Sequence, residues 1–238
     1  MKQAIIIGAS SGIGWELAVQ LAAKGYQLGL MARRSGCLEK LAGKLPGEHF
    51  IQVTDVSQAE QSQAELTALI EKMGDVDLIV VNSGVGNKER KLDWVVEREM
   101  IDVNVRGFAA MSLTSMNYFT QRGAGHLVGL SSCAAHFSAG VTPTYNATKA
   151  FASNYLNGLR SRAVRSKLPI TVTTIEPGFV ETPMVEGKPM WLAPLEKAVA
   201  QMVTGIEKRR DHIFITKRWR LVALLLDIMP NGLIRKFM

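Results

Sequence analysis

Tyr145 and Lys149 are four residues apart in Tyr145-Asn146-Ala147-Thr148-Lys149, just after Pro143. On a helix that spacing puts both side chains on one face. A tyrosine acts as an acid near neutral pH only if its pKa falls from about 10, and three units correspond to about 4 kcal/mol. One ammonium ~4 Å away, at an effective dielectric near 20, supplies roughly that. The pair is therefore sufficient for general acid–base work in a cleft, although an incidental surface pair reads the same way. A second chemical signature lies at the start of the chain. Ala4-Ile5-Ile6-Ile7 runs straight into Gly8-Ala9-Ser10-Ser11-Gly12-Ile13-Gly14. Glycines between a strand and a helix permit a tight turn and close approach of a pyrophosphate. The helix N-terminus offers unpaired N–H groups to the phosphates.

The end of the second strand bears on which dinucleotide fits. An acidic residue there suits the ribose 2′-hydroxyl of NAD, and an arginine suits the 2′-phosphate of NADP. The chain has Met31-Ala32-Arg33-Arg34 and no acid. A carboxylate would repel that phosphate, whereas a guanidinium grips it with two hydrogen bonds. Arg33 and Arg34 therefore favour NADP(H) over NAD(H).

These residues need a scaffold. Short apolar runs predict strands at 4–7, 26–31, 49–53, 78–81, 126–130, 170–175 and 212–216. Helical spacing predicts helices at 13–24, 38–45, 58–73, 97–119, 144–165 and 195–207. Seven strands alternating with helices, apolar without in–out alternation, imply a mostly parallel sheet covered on both faces. The expected fold is a single-domain, doubly wound α/β Rossmann fold over residues 1–216. A basic, apolar helical tail follows over 217–238.

Hydrophobic residues make up 47% of the 238 and charged residues 21%, which excludes a disordered or fibrous chain. Two cysteines, Cys37 and Cys133, are too few for a disulfide scaffold or a thiolate zinc site. His49, His126, His136 and His212 lack ligand spacing, so no metal is expected, though His136 stands close enough to residue 132 to border a pocket. The N-terminal run does not read as a signal peptide. No stretch approaches the ~18 apolar residues of a membrane span. The expected location is cytoplasmic.

With these features assembled, the chain resembles the short-chain dehydrogenase/reductase family over residues 3–216. That family places a serine thirteen residues before the tyrosine, which is Ser132 here, and an asparagine on the long preceding helix, which is Asn104. Asp55-Val56 matches its adenine-contacting pair. Asn82-Ser83-Gly84 matches its Asn-Ala-Gly segment with serine for alanine, and Pro177-Gly178-Phe179-Val180-Glu181-Thr182 its Pro-Gly segment. The family's threonine before the first glycine is Ile7.

The resemblance implies hydride transfer between a bound nicotinamide and a carbonyl or alcohol carbon. It makes Tyr145 the proton donor and Ser132 the hydrogen-bond partner of the substrate oxygen. Lys149 would hold the nicotinamide ribose and lower the tyrosine pKa, and Asn104 would anchor a relay water. Gly8, Ser10, Ser11, Gly12, Ile13, Gly14, Val180 and Thr182 complete the cofactor contacts. A catalytically silent NADP-binding redox sensor is the competing expectation.

Cys133, Phe137, Met184, Met190 and Trp191 are the candidates for the substrate side, and a moderately apolar small carbonyl or alcohol is the expected partner. A homo-oligomer, dimer or tetramer, is the expected assembly. Nucleic acid is not expected, because no recognition motif or aromatic platform accompanies the basic charge. That charge is local. Residues 208–238 carry eight basic and two acidic side chains, +6 of the total +7. Its helix reads three ways: a wall or lid over the cleft, a subunit interface, or a peripheral membrane contact.

Overall fold

The structure is a computed structural model that describes residues 2–86, 92–137, 140, 142–185, 187 and 189–228, with backbone alone at 227 and 228. Glu186 and Lys188, in the segment between Met184 and Met190, and the tail beyond 228 lie outside the described residues. The strands are β1 (Gln3–Ile7), β2 (Gln27–Ala32), β3 (Phe50–Val53), β4 (Leu78–Val81), β5 (Gly125–Leu130), β6 (Ile170–Pro177) and β7 (His212–Ile215). Each lies within two residues of its expected bounds. They form one sheet in the order β3-β2-β1-β4-β5-β6-β7. Every pairing is parallel, with Ile7 beside Met31 on one side and Val81 on the other.

The strands are apolar throughout because both faces are covered. Ile6, Leu28, Leu30, Val80 and Val128 meet α1 (Gly12–Ala23), α2 (Ser35–Ala42) and α7 (Leu195–Glu207). Ile5, Ile7, Ile79, Val81 and Leu127 meet α3 (Ala59–Met73), α5 (Phe108–Arg122) and α6 (Pro143–Ser166). Alternate residues of each strand thus feed two cores, the pattern of a buried parallel sheet.

One expected element differs. The helix predicted over 97–119 is α4 (Trp94–Ile101), a π-helical turn (Asp102–Gly107) and then α5. The turn passes so close to the loop after β3 that a Cβ on Gly107 would stand 2.4 Å from the Val56 carbonyl oxygen. The tail helix is α8 (Lys217–Ile228). Among the described residues no helix is long and apolar enough to cross a membrane.

Candidate active site

In the strand order, β1 and β4 are neighbours whose crossovers leave in opposite directions. The crevice beyond their C-terminal ends is where a doubly wound sheet binds ligands. The Gly8 turn forms its floor. Gly8 has φ +93°, and a Cβ there would lie 2.7 Å from the Ser83 nitrogen. Gly14 sits beneath, where a Cβ would be 2.1 Å from the Gly8 oxygen. The Asn82 amide donates to that same oxygen at 2.8 Å, which ties the two loops together. Ser11 stands at the N-cap of α1, yet its side chain does not cap the helix, so the first N–H groups face the crevice without a side-chain acceptor.

Arg34 explains that diversion. Its Nη2 donates to Ser10 Oγ and Ser11 Oγ, both at 2.8 Å, so the guanidinium is held against the glycine turn. Arg33 reaches Glu99 at 3.6 Å with its side chain half exposed. Asp55 Oδ1 accepts from the Ser57 amide and hydroxyl at 3.0 and 2.8 Å. Thr54 and Ser83 line the crevice and carry buried hydroxyls without a protein partner. Uncapped helix N–H groups, two guanidinium groups and unpartnered hydroxyls make a donor set that fits a dinucleotide. The crevice volume, about 540 Å³, lies in the range of small-molecule sites. Every residue expected to bind the cofactor lines it except Gly14, which supports the turn from below.

At the inner end the crevice reaches Ser132, Tyr145 and Lys149. Ser132 follows β5, and its Oγ accepts from the Ala134 amide at 3.1 Å and donates to the Pro177 carbonyl at 3.3 Å. Tyr145 and Lys149 lie in the first two turns of α6, which begins with proline at its N-terminus and so starts at a fixed point. Lys149 is buried and donates to the Leu130 carbonyl at 3.2 Å. Burial lowers its pKa to about 8.

Lys149 also shares a face with Tyr145. Nζ lies over the ring, 5.8 Å from its centroid. Burial is the largest influence on the phenol and raises its pKa, while the adjacent Ser132 hydroxyl pulls it back.

Asn104 sits in the π-helical turn. Its Oδ1 accepts from the Val85 amide at 2.9 Å, and its Nδ2 donates to the Val85 carbonyl at 2.8 Å and to Thr148 Oγ1 at 3.2 Å. Both amide protons are thus used in joining the loop after β4 to α6. The side chain holds the site's walls together.

The substrate-side candidates divide. Met184 lines the crevice. Cys133 does not: it is buried, its thiol donates to the Glu176 carbonyl at 3.5 Å, and burial pushes its pKa up. Phe137, Met190 and Trp191 also lie off the crevice. Trp191 instead meets Trp219 edge to face at 5.8 Å, and Trp219 meets Phe179 at 5.7 Å. His136 does not face the crevice lining but bonds Glu176 at 2.7 Å. Sequence reading missed Thr54, Trp219 and Glu176. The one available signal was Glu176 itself, a charge at the end of an otherwise apolar and hydroxyl-bearing strand.

Comparison with known proteins agrees with this geometry. Residues 2–193 match the family model described as short chain dehydrogenase. An uncharacterized oxidoreductase of Myxococcus xanthus is 32% identical over 240 residues, covering 98% of this chain and 94% of that protein. Among solved structures, a short chain dehydrogenase/reductase from Burkholderia phymatum in complex with NAD shares the fold. Its TM-score is 0.84 at 23% identity over 94% of this chain and 92% of that one. An alcohol dehydrogenase from the archaeon Thermococcus sibiricus complexed with 5-hydroxy-NADP gives a TM-score of 0.76 at 28% identity, over 90% and 95% of the two chains. With the fold, the crevice and the family match in agreement, the chain belongs to the short-chain dehydrogenase/reductase family and is an oxidoreductase.

Proposed function

We propose that the protein is an NADP(H)-dependent carbonyl reductase or secondary-alcohol dehydrogenase acting on a small, moderately apolar substrate. The observation that carries this reading is one crevice with Ser132, Tyr145 and Lys149 at its inner end and Arg33 and Arg34 at its outer end. No carboxylate stands at the end of β2, which supports a 2′-phosphate. The similar alcohol dehydrogenase from Thermococcus sibiricus, complexed with an NADP derivative, supports both the cofactor and the reaction class. Pro183, Met184 and Val185 beside the inner end support an apolar substrate.

The nicotinamide, when bound, supplies or accepts the hydride. In reduction, Tyr145 donates its proton to the substrate carbonyl oxygen. Ser132 hydrogen-bonds the same oxygen and stabilises the charge that develops there. Lys149 has three N–H donors and, among the described residues, one protein acceptor at Leu130, so it offers the remaining donors to the cofactor's ribose hydroxyls. Asn104 fixes the loop that carries Gly84 and Val85 against α6.

The test is NADPH oxidation with ketones and aldehydes graded by size and polarity, comparing wild type with Tyr145→Phe. General acid catalysis predicts a fall of at least about 100-fold in kcat with NADPH affinity preserved. NADPH binding without turnover of any carbonyl would refute the reading and favour the silent redox sensor.

A further inference from the structure

A charged group that this reaction does not use lies directly behind Ser132. Glu176, near the end of β6, has no solvent exposure. Its Oε1 accepts from Ser153 Oγ at 2.6 Å. Its Oε2 accepts from His136 Nε2 at 2.7 Å and from His212 Nε2 at 3.0 Å. Among the described residues these two histidines are its ion-pair partners. Arg160 lies nearby but engages Asp211 and Thr174. Despite burial, the hydrogen bonds from both histidines and Ser153 hold the carboxyl at a pKa of about 2.

The two histidines lead to different places. His136 is the last residue of the 3₁₀ turn Cys133–His136, and Ser132 is the N-cap of that turn. His212 opens β7 at the edge of the sheet. The Glu176 backbone is also tied to this turn, since its carbonyl accepts from Cys133 Sγ at 3.5 Å, while the next carbonyl, Pro177, accepts from Ser132 Oγ. On the α6 side, Asn146 donates to the carbonyls of Ala134 and Phe137, both at 2.9 Å. The turn is therefore clamped from two directions, by Asn146 at its backbone and by Glu176 at the His136 ring.

We propose that Glu176, acting through His136, is a positioning residue for Ser132: the buried carboxylate–imidazole contact pins the far end of the turn on which the serine hydroxyl stands. The inference rests on the proposed role of Ser132 toward the substrate oxygen. Removing the buried carboxylate takes away the shared acceptor of Ser153, His136 and His212 and risks misfolding, so the histidines are the better probes. With a carbonyl from the panel above, His136→Ala is expected to lower kcat about tenfold, as a small misplacement of a catalytic group does, and to leave NADPH affinity unchanged. His136→Gln, which keeps a side-chain N–H donor, is expected to recover most of that loss. His212→Ala removes the other donor to the same carboxylate oxygen and is expected to leave kcat close to wild type.

Hydrogen exchange without substrate reads the same point independently of turnover. Amides at Ala134–Phe137 are expected to exchange faster in His136→Ala and not in His212→Ala. Equal effects of the two alanine variants, on kcat or on exchange, would overturn the proposal, because Glu176 would then serve only packing and charge. So would unaltered exchange in His136→Ala. If the wild type reduces no carbonyl, the reductase reading fails, and exchange alone decides the role of Glu176.

Discussion

Lys149→Met separates what the site needs from what the fold prefers. The lysine is 7% exposed and its pKa falls from 10.5 to about 8 through burial. At about 1.4 kcal/mol per pH unit, carrying the ammonium in the interior costs roughly 3 kcal/mol. Methionine fills a similar length without charge. It loses the charge-assisted hydrogen bond to the Leu130 carbonyl, worth roughly 2 kcal/mol. The variant is therefore expected to be more stable than wild type by roughly 1 kcal/mol at pH 7. For a chain of this size that is roughly 2–4 °C in Tm.

The pH dependence follows from the sign of the shift. The folded lysine binds its proton less readily than the unfolded one, so the wild type carries the full penalty below pH 8. It sheds the penalty as pH rises from about 8 toward 10.5, where both states become neutral. The gap between variant and wild type should therefore be largest at pH 6–7 and should close near pH 10. Urea melts of both proteins across pH 6–10, without NADPH, measure it, and Lys149→Met should also lose turnover and most of the stabilisation by NADPH. A variant less stable than wild type at pH 7, or a gap independent of pH, would refute the assignment of Lys149 as a desolvated cation.

Three further outcomes follow from the same geometry. Replacing Arg33 or Arg34 with alanine removes a charge-assisted contact to a 2′-phosphate, worth roughly 1.5–3 kcal/mol. NADPH affinity should fall by about 10- to 100-fold while NADH affinity stays unchanged, and equal losses for both cofactors would contradict the NADP reading. In Gly178→Ala the new Cβ would lie 1.9 Å from Trp219 Nε1. The indole must move, which should cost roughly 1–3 kcal/mol, shift tryptophan emission and open Lys217–Arg220 to trypsin. Finally, Glu176 has its pKa held near 2, so its contribution to stability is present above pH 4.5 and is lost as pH falls toward 2. Urea melts over that window should show a loss of roughly 3 kcal/mol in wild type and a smaller loss in the His136→Ala/His212→Ala double variant.

Much of the candidate site was legible because its signals are local in sequence. The Gly8–Gly14 turn, the Arg33-Arg34 pair and the Tyr145–Lys149 spacing each lie within one turn or one strand end. The parallel sheet brings those ends to a single edge. Ser132 and Asn104 needed the family's motif spacing to be found at all. What escaped the sequence depends on contacts between distant segments. The π-helical turn at Asp102–Gly107 brings Gly107 against Val56, a contact that no periodicity within 97–119 records. Cys133 is next to Ser132 in sequence, yet the 3₁₀ turn points it at Glu176 and away from the crevice. Helical spacing fixes which face Lys149 shares with Tyr145, but not how deeply the lysine is buried.

The tail shows how one missing side chain can join two segments that the sequence kept apart. On α8, Ala223 and Leu226 are buried, while Leu221, Leu224 and Leu225 are exposed at 74, 56 and 53%. The helix is therefore two-sided, which the nearly all-apolar sequence did not reveal. Its inner side is anchored by Trp219, which packs between Phe179 and Trp191. Arg218 lies over the Trp191 ring at 5.9 Å. The indole fits only because residue 178 lacks a Cβ, and Gly178 lines the crevice. The glycine of the Pro-Gly segment thus serves two surfaces at once, the crevice on one side and the tail helix on the other. A larger side chain at 178 would therefore press on Trp219 at the start of α8 as well as narrow the crevice.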